Sequence, residues 1–142
     1  MVFATLLQES LIRLDMNKNN DLTYKIIGCA MEVYKTLGPD LLESVYEQAL
    51  IYELELNGLD VKSQVAVDVV YKGKLICPDL RVDLLIDDTI ILELKSVEEL
   101  KPVHHKQILT YLRLMNKKVG LLINFNVPDL KDGIKRVING FC

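Results

Sequence analysis

The sequence predicts an α/β domain of the mixed, α+β kind: a mixed central sheet with helices packed on it. Three observations predict it. Apolar residues recur at helical spacing over residues 21–56, switch to strict alternation over 61–95, and return to helical spacing over 102–115. A nearly continuous apolar run then fills 119–125, as in a strand covered on both faces and paired in parallel. With 142 residues, half of them hydrophobic and 26% charged, the chain has the profile of one compact domain.

Each element has its own signal. Residues 1–14 show weak helical periodicity, and the polar run from Asp15 to Asn20 reads as a linker or a helix entry, so 1–20 is expected to be a dispensable extension or linker ahead of a single domain at 21–142. Asp21 or Thr23 can cap a helix that ends at Gly38; a second helix runs from about Leu41 to Leu56 and stops at Gly58. Residues 61–71 alternate as a half-buried strand, and Lys72-Gly73-Lys74 turns the chain. The next strand is interrupted at Cys77-Pro78-Asp79, which marks an edge or a bulge, and resumes to Ile86. A third strand spans 90–95. Pro102 opens a helix to Met115, and Asp129 is expected to cap a closing helix to Ile138.

The stretch from Arg81 to Lys95 is the informative one. Positions 82, 84 and 86, and 90, 92 and 94, form the apolar sides of two strands. Matching those sides requires 82 to face 94, 84 to face 92 and 86 to face 90, which sets Asp83 opposite Glu93 across the three-residue loop Asp87-Asp88-Thr89. Lys95 emerges on the same face as Glu93. Two adjacent carboxylates suit a hard divalent cation such as Mg²⁺, and a nearby lysine can orient a water or neutralise a phosphate. The competing account is a solvated cross-strand charge cluster, weakened because Leu85 and Ile91 share the face.

The net charge of −3 gives no global attraction to nucleic acid, so binding would need a local basic patch. Arg81, Lys101, Lys106, Arg113, Lys117 and Lys118 are the candidates. Cys29, Cys77 and Cys142 lack paired metal spacing; Cys29 and Cys77 are expected to be small core fillers. With no apolar run long enough to span a membrane, a cytoplasmic protein is expected.

The sequence resembles the PD-(D/E)XK nuclease superfamily, and within it the GxxExxY proteins. The resemblance rests on residues 37–47 (Leu-Gly-Pro-Asp-Leu-Leu-Glu-Ser-Val-Tyr-Glu), Asp83, Glu93-Leu94-Lys95, residues 107–112 (Gln-Ile-Leu-Thr-Tyr-Leu) and residues 120–125 (Gly-Leu-Leu-Ile-Asn-Phe). It implies a restriction-endonuclease-like α-β-β-β-α-β core and a metal-dependent deoxyribonuclease using Mg²⁺ or Mn²⁺ and a metal-activated water. Asp83, Glu93 and Glu43 would be metal ligands, Lys95 the catalytic lysine, and Gln107 with Tyr111 a glutamine-tyrosine pair at the catalytic site. The first Gly of the GxxExxY pattern is Asp40 here, expected to act as a helix N-cap. Glu43 also has a capping-box reading with Asp40, Gln107 and Tyr111 a reading as helix boundary positions, and His104 and His105 one as surface histidines. DNA is the implied partner, with a homodimer or protein partner supplying further surface. The alternative function is a nuclease-fold binding or assembly module without robust catalysis.

Overall fold

The computed structural model describes residues 2–140. The elements are helix α1 (Val2–Leu37), helix α2 (Glu43–Leu56), strands β1 (Val61–Tyr71), β2 (Lys74–Ile86) and β3 (Ile90–Lys95), helix α3 (Pro102–Met115), strand β4 (Val119–Asn124), a 3-10 turn (Leu130–Gly133) and strand β5 (Ile134–Ile138). The sheet order is β1-β2-β3-β4-β5. Among the described residues β3 and β4 pair in parallel and the other neighbours are antiparallel. The mixed sheet flanked by helices is the predicted fold class, including the parallel pairing of the apolar run.

Two layers of core lie on opposite faces of the sheet. On one, Ile26, Ala30 and Val33 of α1 and Tyr46, Leu50 and Leu54 of α2 pack on Leu84, Ile86, Leu92, Leu94 and Ile123. On the other, Ile108, Tyr111 and Leu112 of α3 pack on Leu85, Ile91, Leu122 and Val137. Gly120 lets α3 approach closely, since a Cβ there would lie 2.7 Å from Ile108 Cδ1.

The expected alternation fails at one point. Leu84 and Ile86 face α1 and α2, but Val82, two residues from Leu84, packs in the α3 layer. The switch falls between the pairs Ser63↔Leu84 and Val65↔Val82, where Gln64 has φ +52 and stands opposite Asp83. This left-handed residue turns the outer half of the β1–β2 ribbon over α3, burying Val67 and Val82 there. A second irregularity is the predicted bulge: Val67 pairs with Leu80 and Val69 with Ile76, leaving Cys77-Pro78-Asp79 opposite Asp68, with Asp79 at φ +58. Cys29 is buried as expected, but the bulge exposes Cys77, which is no core filler.

Two further expectations are corrected. The run from Asp15 to Asn20 is helical and continuous with the rest of α1, because it contains neither Gly nor Pro and its polar residues have only modest helix penalties. The expected closing helix is a 3-10 turn followed by β5. At Gly133 a Cβ would fall 2.2 Å from the Asn124 carbonyl oxygen, so the chain crosses tightly there. Ile134–Ile138 then pairs along β4 and satisfies its backbone groups. Among the described residues no helix is long and apolar enough to cross a membrane.

Candidate active site

The hairpin between β2 and β3 has the predicted register from the loop as far as Leu84 and Leu92; the expected facing of Val82 and Leu94 is not met, because Val82 packs in the α3 layer and Leu94 in the layer under α1 and α2. Leu84 pairs with Leu92, Leu85 with Ile91 and Ile86 with Ile90. Asp87 and Asp88 take positive φ in the loop, and the Thr89 N–H closes it by donating to the Ile86 carbonyl at 2.9 Å. Asp83 and Glu93 come next, and here side chains replace the backbone ladder. The Asp83 N–H donates to Glu93 Oε1 at 3.1 Å, and the Leu94 N–H donates to Asp83 Oδ2 at 2.8 Å. The kink at Gln64 and Asp83 thus coincides with an opening between β2 and β3 that two carboxylates fill.

Glu93 is only 2% exposed. Burial, reinforced by the charge of Asp83, pushes its carboxyl up to about 8, against the opposing pull of the Asp83 N–H and Lys95. Lys95 lies one turn of the pleat further on, half-buried, and no carboxylate of the described residues is within ion-pair distance of it. Its ammonium is close enough to act on Glu93, Glu43 and His104, but it is not consumed by a salt bridge.

Glu43 opens α2. The residue before it, Leu42, is the N-cap and makes no side-chain cap bond. Asp40 instead sits in the corner at φ +70, a conformation glycine adopts without strain, so the expectation that Asp40 caps this helix is not met and no capping box forms. Glu43 is half-buried, and burial raises its carboxyl, with Asp83 and Glu47 adding to the effect and Lys95 opposing it. Tyr46 fixes the corner. Its hydroxyl donates to the Gly38 carbonyl and accepts from the Leu41 N–H, while its ring stacks on Phe125 at 4.3 Å. Ser96, just after Lys95, donates to the Leu41 carbonyl at 2.6 Å and ties the corner to the end of β3.

Helix α3 supplies the opposite wall. Gln107 Nε2 donates to the Tyr111 hydroxyl at 3.0 Å, and Tyr111 is buried. Burial raises the phenol, helped by the charges of Glu93 and Asp83, which puts the hydroxyl within electrostatic reach of both carboxylates. His104 accepts the Lys101 N–H on Nδ1 at 2.9 Å and so helps to cap α3; burial, Lys95 and Lys101 lower its pKa. His105 is exposed. The fold therefore gathers Asp83, Glu93, Lys95, Glu43, Gln107 and Tyr111 around one end of β3.

One residue escaped sequence reasoning. Asn124, opposite Lys95 in the parallel ladder, is 2% exposed and clamps the loop after β3: Oδ1 accepts from the N–H groups of Val97 and Asn126, and Nδ2 donates to the Val97 carbonyl. Its signal was a polar residue inside an otherwise apolar run. Of the candidate basic residues, Lys117 and Lys118 do not flank this site. They line a cavity at the Asp87–Thr89 end of the hairpin, where Lys117 pairs with Asp88 at 3.3 Å, a strand length of roughly 17 Å away.

Two carboxylates meet here, and Glu93 Oε2 and Asp83 Oδ1 have no protein donor among the described residues. No group of three or more His, Cys, Asp or Glu side chains among those residues is arranged to hold a metal ion. Two carboxylates plus waters and a phosphate are nonetheless a normal Mg²⁺ environment.

A family model of the PD-(D/E)XK nuclease superfamily matches residues 20–137. The chain belongs to that superfamily. In fold it is similar to the crystal structure of SSO0001, at 21% identity and a TM-score of 0.53, over 70% of this chain and 52% of that one. It spans about half the length of that protein. No curated protein matches the sequence.

Proposed function

We propose that this PD-(D/E)XK domain is a Mg²⁺- or Mn²⁺-dependent nuclease of the GxxExxY group that hydrolyses DNA phosphodiester bonds. The observation that carries the reading is the pair Asp83 and Glu93 at the strand opening: a buried carboxylate with no ion-pair partner, whose ionisation is disfavoured until a cation neutralises it. Asp83 and Glu93 would hold the ion, and Glu43 reaches the same field from α2. When bound, the cation supplies a Lewis acid that makes water nucleophilic near neutral pH and takes up charge on the phosphate.

The chain's own residues do the rest. Lys95, without an ion-pair partner among the described residues and on the carboxylate face, donates hydrogen bonds to the attacking water or to a phosphate oxygen. Gln107 and Tyr111 present an amide and a hydroxyl to the phosphate from α3. The pinned corner at 38–42 and the clamp of Asn124 on Val97 keep Glu43 and Lys95 from drifting, since misplacement by about 1 Å is costly to catalysis.

The direct test incubates the protein with single- and double-stranded DNA in Mg²⁺ or Mn²⁺ and compares Asp83→Ala and Lys95→Ala. Cleavage that needs the ion and both residues is expected. A second reading, a nuclease-fold binding or assembly module, is favoured by the acidic total, which gives no global attraction to DNA. Ion-independent DNA binding with no cleavage would select it.

A further inference from the structure

Beside the carboxylates, between α3 and the outer half of β2, lies a cleft of about 410 Å³ lined by Leu80, Val103, His104, Lys106, Gln107, Thr110 and Tyr111. Its volume falls within the size of small-molecule sites, about 300–1,000 Å³. The lining is largely apolar, with Leu80 and Val103 supplying aliphatic surface and Val103 62% exposed. Tyr111 and Gln107 belong to both the cleft and the carboxylate site, so the two are continuous.

Charge is distributed unusually around this corner. The protein carries a net −3, yet Lys95, Lys101 and Lys106 have no carboxylate within ion-pair distance among the described residues. Lys95 and Lys101 are both close enough to His104 to act on its ring. An apolar cleft rimmed by free cations matches a ligand that joins a phosphate chain to flat, apolar faces. In a duplex those faces are stacked inside and only phosphates, sugars and base edges reach a protein wall, so the aliphatic lining would meet nothing suited to it.

We propose that this cleft holds an unpaired nucleotide of the DNA strand beside the phosphate to be cut, its base against Leu80 and Val103 and its phosphates against Lys101 and Lys106. The substrate is then a single strand or a frayed end. The inference deepens the nuclease reading and rests on it for the position of the strand. Turning the β1–β2 ribbon over α3 at Gln64 is what builds the cleft, because Leu80 lies on the turned half.

The test is fluorescence anisotropy of the full chain in EDTA, with a labelled single-stranded oligonucleotide, its blunt duplex and an abasic strand of the same length. Single-strand affinity about tenfold above both others is expected. Val103→Asp and Thr110→Trp should each erase the preference while melting like wild type, and Lys106→Ala should lower the slope of log affinity against log salt by about 0.7. Equal affinity for single strand and duplex, or for normal and abasic strands, would overturn the proposal, as would retention of the preference in both cleft variants. Cleft-dependent single-strand binding by a protein that cuts nothing would remove the nuclease reading and leave the cleft standing; metal-dependent cleavage without strand preference would do the reverse.

Discussion

Asp83 and Glu93 hold β2 and β3 together through their side chains: the N–H of Asp83 donates to the Glu93 carboxylate, and the Asp83 carboxylate accepts from Leu94. Two carboxyl groups thus stand where a backbone ladder would otherwise continue. Burial and the charge of Asp83 disfavour ionisation of Glu93, and the Asp83 N–H and Lys95 oppose them.

Stability without metal should fall as pH rises. The Glu93 carboxyl is raised from 4.5 to about 8, so between those values the folded state binds more protons than the unfolded state, and the unfolding free energy decreases with pH. The loss should amount to roughly 2–4 kcal/mol between pH 5 and 8, read from urea denaturation in EDTA. Glu93→Gln should flatten that dependence, and Mn²⁺ should restore stability at pH 8.

Lys95→Ala should separate catalysis from folding. Because Lys95 makes no ion pair among the described residues, its removal should change stability by no more than about 0.5 kcal/mol. Cleavage should fall by about 10²-fold or more. A melting curve and a cleavage time course on the same preparation check both.

Asn124→Ala should loosen the loop after β3. Three hydrogen bonds to Val97 and Asn126 are lost from a buried site, at a cost of about 1–3 kcal/mol. Hydrogen exchange should speed up at residues 96–101 and stay near wild type in α2.

Tyr46→Phe keeps the stack on Phe125 but removes the bonds to Gly38 and Leu41, and should cost about 1–2 kcal/mol. If the corner positions Glu43, cleavage should drop further than stability accounts for, an effect absent in Tyr52→Phe, whose ring is exposed.

Deletion of residues 1–17 should leave the domain folded, with a melting temperature within a few degrees of the full chain. Asn20, which accepts from Arg136 at 2.6 Å, and Leu22, packed on the core, are kept in that deletion. Loss of cooperative unfolding would show that the long α1 is integral.

The sequence by itself determined the strand register and the residues that share it. Side-chain alternation has period two, so matching the apolar positions around Asp87-Asp88-Thr89 favoured one pairing, which holds from the loop to Leu84 and Leu92 and brings Asp83 next to Glu93. Helix α3 was legible at both ends, from Pro102 and from the loss of periodicity at Asn116. Tertiary structure decided the rest. The layer switch at Val82 depends on the positive φ of Gln64, a residue with no Gly-like signature. The strand β5 won over a helix because the edge of β4 was available and Gly133 had no room for a side chain. Local patterns report which faces are apolar; what covers each face, and so how deeply Glu93 is buried, is set by elements distant in the chain.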